Sequence, residues 1–168
     1  KDMPPEEMVR VGREIMDGKG LCFTCHTMGK SGVLRFPDLD GIGGRAASRV
    51  PGLSDVDYLA QSIYEPDKYI VPGFNPGMPA INKPPIGLTD DEILAVIAYL
   101  QSLGGTVNVT MATKLPWQAG GGGGAVGTTP APAGGEAAAA AATEAAGADA
   151  AATPGAADDE TQKPGSIQ

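Results

Sequence analysis

The sequence predicts an all-α domain, with three main helices joined by long irregular loops and a low-complexity tail behind them. Three observations carry that expectation. Apolar residues recur at helical spacing over residues 4–17, 54–65 and 89–103. The stretches between them are dense in glycine and proline, which leaves little room for regular structure. From Gln118 onward the composition changes, and 33 of the last 51 residues are Ala, Gly or Pro, too many to build a packed core. The chain of 168 residues therefore divides into a folding unit over 1–117 and a tail over 118–168.

The first helix, over 4–17, is marked by Pro4 and Pro5 in its first turn and by Glu6 and Glu7 at the positive end of its dipole. Met8, Val11, Ile15 and Met16 form its apolar stripe. Gly12 interrupts the stripe at a cost of about 1 kcal/mol relative to Ala, a cost that a close helix–helix contact would explain. The second helix, over 54–65, has Ser54 as its N-cap, with Asp57 in an acidic version of the capping box, and Pro66 stops it. The third, over 89–103, carries the box Thr89/Glu92, a wide stripe from Ile93 to Leu103, and Gly104 and Gly105 behind it. Residues 106–117, with Val107, Val109, Leu115 and Trp117, read as an extended strip lying on the domain or on a neighbour.

The folding unit holds 11 basic and 14 acidic side chains, a net −3, and the tail 1 basic and 6 acidic, a net −5. Acidity concentrated in the tail makes nucleic acid an unsuitable partner. No run of 18 apolar residues occurs, so no transmembrane helix is expected within the chain. The chain starts at Lys1, which removal of a leader peptide would account for.

One pentapeptide carries chemistry. Cys22-Phe23-Thr24-Cys25-His26 has the spacing by which two thiols add to the two vinyl groups of a porphyrin while the following histidine reaches the iron. Cys22 and Cys25 are the only cysteines and His26 the only histidine. A zinc site would need a fourth ligand, and a thioredoxin-like dithiol would need strand–helix alternation around it. Covalent attachment of one haem c also suits a small domain whose own core is marginal.

With no second histidine, bis-histidine ligation within this chain is excluded. Of the six methionines, Met3, Met8 and Met16 belong to the first helix or its lead-in, and Met28 is too near His26. Met78 and Met111 remain, and Met78 lies in a loop stiffened by prolines. A lysine or an open sixth position stays as the alternative.

These pieces together resemble the class I monohaem cytochromes c, over about residues 4–104. The matching motifs are Gly12 in the first helix, the CxxCH, Pro37-Asp38-Leu39-Asp40-Gly41 with Gly44-Arg45-Ala46, the run Tyr69 to Pro79, and Ile97-Ala98-Tyr99-Leu100. The resemblance implies a class I fold, three main helices and loops around one haem c. It implies His26 and Met78 as the metal ligands, the Pro37 carbonyl as acceptor of the His26 ring N–H, and Arg45 near a propionate. It implies that Gly12 and Tyr99 mark the crossing of first and last helices. The ring of lysines seen in the mitochondrial type is absent. Lys19, Lys30, Lys68 and Lys83 are scattered, and Val71, Pro72 and Phe74 would give an apolar rim.

The function expected is electron transfer through a closed six-coordinate haem, with redox proteins as partners and no enzymatic activity of the chain itself. Thioether attachment of haem takes place outside the cytoplasm in family members, so a periplasmic or peripheral extracytoplasmic placement follows. The tail reads either as a solvated tether or as a strap laid along neighbouring chains. On the second reading the chain resembles the cytochrome c subunits of bacterial respiratory or photosynthetic membrane complexes, the alternative complex III type among them. Competing expectations are a freely diffusing periplasmic carrier, a catalytic or gas-sensing haem protein with a labile sixth ligand, and a subunit whose haem is only structural.

Overall fold

The structure, a computed structural model, describes residues 2–118. The tail expected over 118–168, with its role as tether or strap, lies outside the described residues apart from Gln118. The described residues form four helices, α1 (Pro5–Asp17), α2 (Ile42–Arg45), α3 (Asp55–Tyr64) and α4 (Asp90–Ser102), with 3₁₀ turns at Cys22–Thr24 and Ala46–Ser48 and no strand.

The fold is built on the crossing of α1 and α4. Met8, Gly12 and Met16 are the buried face of α1. A Cβ on Gly12 would lie 2.0 Å from the Ala95 carbonyl oxygen and 3.0 Å from Tyr99 Cβ. Only glycine permits that approach, so its poor helix propensity is outweighed by packing. The N-terminus of α4 is closed by the full capping box. Thr89 N–H donates to Glu92 Oε2 at 2.8 Å, and Glu92 N–H donates to Thr89 Oγ1 at 3.3 Å. Every residue from Ile93 to Gln101 is buried. The stripe expected from the sequence therefore widens to the whole girth of α4, because α1, α2 and α3 all pack on it. Leu103, placed on that stripe, is only half-buried.

At the start of α3 the cap differs from the expected box. Ser54 Oγ accepts from Asp57 N–H at 3.1 Å, but its hydroxyl also donates to the Asp57 carboxylate at 2.7 Å. The acid thus closes on the cap's side chain rather than on its backbone. Helix α2 was not expected, since Gly41, Gly43 and Gly44 read as loop. Packing overrides propensity there. Gly43 N–H donates to Leu103 O at 2.9 Å, and a Cβ on Gly43 would sit 2.2 Å from Gln101 O. The glycines that argue against a helix are what lets this turn seat against the end of α4.

Residues 106–118 lie on the domain. Gln101 is fully buried, and its Oε1 accepts from Asn108 N–H and Val109 N–H, both at 3.2 Å. Its Nε2 donates to Asn108 Oδ1 at 2.6 Å and to the Asp55 carboxylate. Val109 and Leu115 are buried. Trp117 stacks on Tyr64 with ring centroids 6.2 Å apart, and its Nε1–H donates to Glu65 Oε2 at 2.8 Å. Gln118 still belongs to this segment, its Oε1 accepting from Leu115 N–H at 3.1 Å.

Candidate functional site

Helix α1 ends at Asp17 and the chain turns through Leu21, which holds φ at +53°, a left-handed conformation uncommon outside glycine. That turn starts the 3₁₀ segment at Cys22. The Cys22 carbonyl then accepts from Cys25 N–H at 3.2 Å and from His26 N–H at 2.9 Å. The pentapeptide is thereby wound into a tight turn, and Cys22, Cys25 and His26 all face one cavity of about 370 Å³. Neither cysteine is in a disulfide. Burial pushes the Cys22 thiol above its ordinary value. It stays protonated near neutral pH, unlike the acidic thiol of a redox dithiol. No cluster of three or more His, Cys, Asp or Glu side chains among the described residues is arranged to hold a metal ion.

His26 Nδ1 lies 2.7 Å from the Pro37 carbonyl oxygen. A carbonyl can only accept, so Nδ1 carries the proton, and in the neutral ring Nε2 keeps its lone pair for a ligand. The loop that brings Pro37 there is clipped by Asp38. Its carboxylate accepts from the Thr27 hydroxyl at 2.6 Å and from the N–H groups of Gly29, Lys30 and Asp40 at 3.0, 2.8 and 3.0 Å. Those donors, the Thr27 hydroxyl first, hold the Asp38 carboxyl well below the usual carboxylate range. Leu39 N–H to Thr27 O, at 2.9 Å, closes the loop base.

Met78 lines the same cavity, from the irregular segment between α3 and α4. Met111, the other methionine left by elimination, packs against the core instead. The rest of the wall is mostly apolar, with Ile42, Leu59, Ile63, Phe74, Val96 and Leu100 among its residues. Tyr58 and Tyr69 meet edge to face there, with ring centroids 5.9 Å apart, and burial pushes the Tyr58 hydroxyl up.

Arg45 lines the cavity, but its guanidinium is turned to the loop, donating to Asp38 O at 2.8 Å and to Asp40 O. Sequence reasoning passed over Arg49, which also lines the cavity and has a buried Nε without a hydrogen-bond partner among the described residues. The signal available was its place four residues beyond Arg45, one turn further along a helical stretch.

Two thiols on one turn, an imidazole with Nε2 open to a ligand, a thioether, apolar walls and an unanswered buried cationic donor fit a haem with acidic side groups. The chain matches the family model described as Cytochrome c over residues 9–104. A search of curated proteins returned no match.

Proposed function

The chain belongs to the cytochrome c family, and from that premise we propose that it passes single electrons through a haem whose iron His26 and Met78 would hold, as a subunit of an extracytoplasmic membrane electron-transfer complex. Haem-based electron transfer, and haem c held covalently through Cys22 and Cys25, come with the family. When bound, the haem supplies a one-electron couple at its iron.

The chain's own residues account for the rest. His26 offers Nε2, and the Pro37 carbonyl holds Nδ1–H, fixing ring orientation and raising the basicity of the ligand. Met78 offers a soft thioether, which favours the reduced metal and raises the potential. The apolar walls exclude water. The hydrogen bonds on Asp38 keep the His26 side in one geometry, so little has to rearrange when charge changes.

The observation that carries this reading is that Met78 and His26 line one apolar cavity together with Cys22 and Cys25. The test is optical. The oxidised full chain is expected to show the weak red absorption band of an iron–methionine bond, and Met78→Ala to lose it. If the band is missing and the reduced protein binds carbon monoxide rapidly, the sixth position is labile and the catalytic or gas-sensing reading replaces this one.

Membership of a larger complex is supported by the acidic Ala/Gly/Pro-rich composition of residues 118–168, which suits a segment laid on partners. No helix among the described residues is long and apolar enough to cross a membrane. Mild-detergent purification of the native chain is expected to bring membrane subunits with it. A chain recovered alone in the soluble periplasmic fraction would point to a diffusing carrier.

A further inference from the structure

We propose that Arg49, through its Nε–H, and not Arg45, holds the acidic edge of the haem. The inference rests on haem c occupying this cavity and is independent of whether Met78 is the sixth ligand.

The two arginines share the cavity wall, but they are not equally available. Arg45 spends its terminal nitrogens on the carbonyls of Asp38 and Asp40. It is a brace for the loop that presents Pro37 to His26. Arg49 follows the 3₁₀ turn Ala46–Ser48, and its Nε is buried with no partner among the described residues. A charged donor taken out of water and left unanswered is costly, so an acceptor is required at that place.

No acceptor for it is found among the described residues. Asp38, the acid nearest in sequence on the wall, is already met by four donors. Asp67, on the opposite segment of the wall, is exposed, and no ion pair with Arg49 is formed among the described residues. The Tyr58 hydroxyl, pushed up by burial, lies on the same wall, and Arg49 and Arg45 both contribute positive charge to its surroundings. A buried cationic N–H without a partner on the wall of an apolar cavity forms a site for a carboxylate. The cofactor brings two, its propionates. A charge-assisted hydrogen bond from Nε–H to a propionate answers the orphaned donor.

The experiment uses the full haem-loaded chain in four forms, wild type, Arg49→Leu, Arg49→Lys and Arg45→Lys. Two quantities are read. One is the propionate-bending band in the low-frequency resonance Raman spectrum, which responds to hydrogen bonding at the carboxylate. The other is the midpoint potential. Arg49→Lys keeps the charge but has a methylene where Nε stood, so the band is expected to shift while the potential changes little. Arg49→Leu is expected to shift the band and also lower the potential, since a cation that disfavours the oxidised site is gone. Arg45→Lys is expected to leave the band in place and to lower thermal stability by loosening the loop. An unmoved band in Arg49→Lys, or a larger shift in Arg45→Lys than in Arg49→Lys, overturns the assignment. Arg49→Lys decides the matter even if Arg49→Leu fails to accumulate. The red iron–methionine band, recorded on the same samples, reports separately on Met78, so failure of one reading is not mistaken for failure of the other.

Discussion

Between His26 and Arg45 the backbone is clipped by side chains, with Asp38 taking four donors and Arg45 bridging two carbonyls. Between Pro66 and Gly87 no side chain of the described structure makes a hydrogen bond. That segment is held by turn contacts such as Phe74 N–H to Val71 O at 3.1 Å and Leu88 N–H to Ile81 O at 2.8 Å, and by its prolines. One wall is fixed by polar ties specific to its geometry. The other is stiffened by a restricted backbone and leans on whatever fills the cavity. The imidazole side is therefore preorganised, and the thioether side is the one that gives way first. Native-state hydrogen exchange reads this directly. The amides of Gly29, Lys30 and Asp40 are expected to be better protected than those of Phe74 and Lys83, and equal protection would remove the contrast.

Both walls hang from the α1–α4 crossing, α1 leading into the pentapeptide and α4 receiving the Met78 segment. Gly12→Leu forces side-chain atoms into the Ala95 backbone, and a loss of about 4 kcal/mol or more is expected, read as urea midpoint and as loss of bound haem. Damage confined to one wall would show that the crossing is not their common support.

Asp38→Asn comes next and strikes the His26 side alone. Its folded carboxyl is held low, so its contribution is complete above the unfolded value of about 4 and drains away as pH falls from there toward the folded value. The variant is expected to have a lower thermal midpoint at pH 7 and a flatter acid-unfolding curve below about pH 4. An acid profile superimposable on wild type would mean that the clip contributes nothing.

Trp117→Ala tests the opposite wall. It removes the stacking on Tyr64 and the bond to Glu65, the residue just before Pro66. A loss of about 1–2 kcal/mol is expected, with faster exchange confined to the Met78 segment. Lys19→Gln should be the mildest. Its pair with Glu92, 2.7 Å and partly exposed, links the turn before Cys22 to the start of α4, and a surface pair of this kind is worth about 0.2–1 kcal/mol.

Local chemistry explains what the sequence disclosed. Helices α1, α3 and α4 lie within a residue or two of their expected bounds because caps and prolines are written in single residues, Ser54, Thr89, Glu92 and Pro66. The pentapeptide was legible because its function is a spacing. Helix α2 was not, because Gly43 lowers local propensity for the very reason that it allows close packing against a segment about sixty residues away. Nothing in the sequence marks Gln101 as buried, since its partners Asn108 and Asp55 are chosen by the fold. Two arginines four residues apart are equivalent on paper. Only the path of the loop shows that Arg45 is spent and Arg49 is not.

Gln101 sets the limits within which this domain can be cut out and reused. Its amide stands in for the neighbouring strand that Asn108 and Val109 would otherwise need. A gene fragment ending where the family match ends, at residue 104, would leave that amide only its bond to the Asp55 carboxylate and would strip the cover from α4. Portability as a redox module therefore requires the chain through Gln118, and a fusion partner belongs after that residue rather than after the last helix.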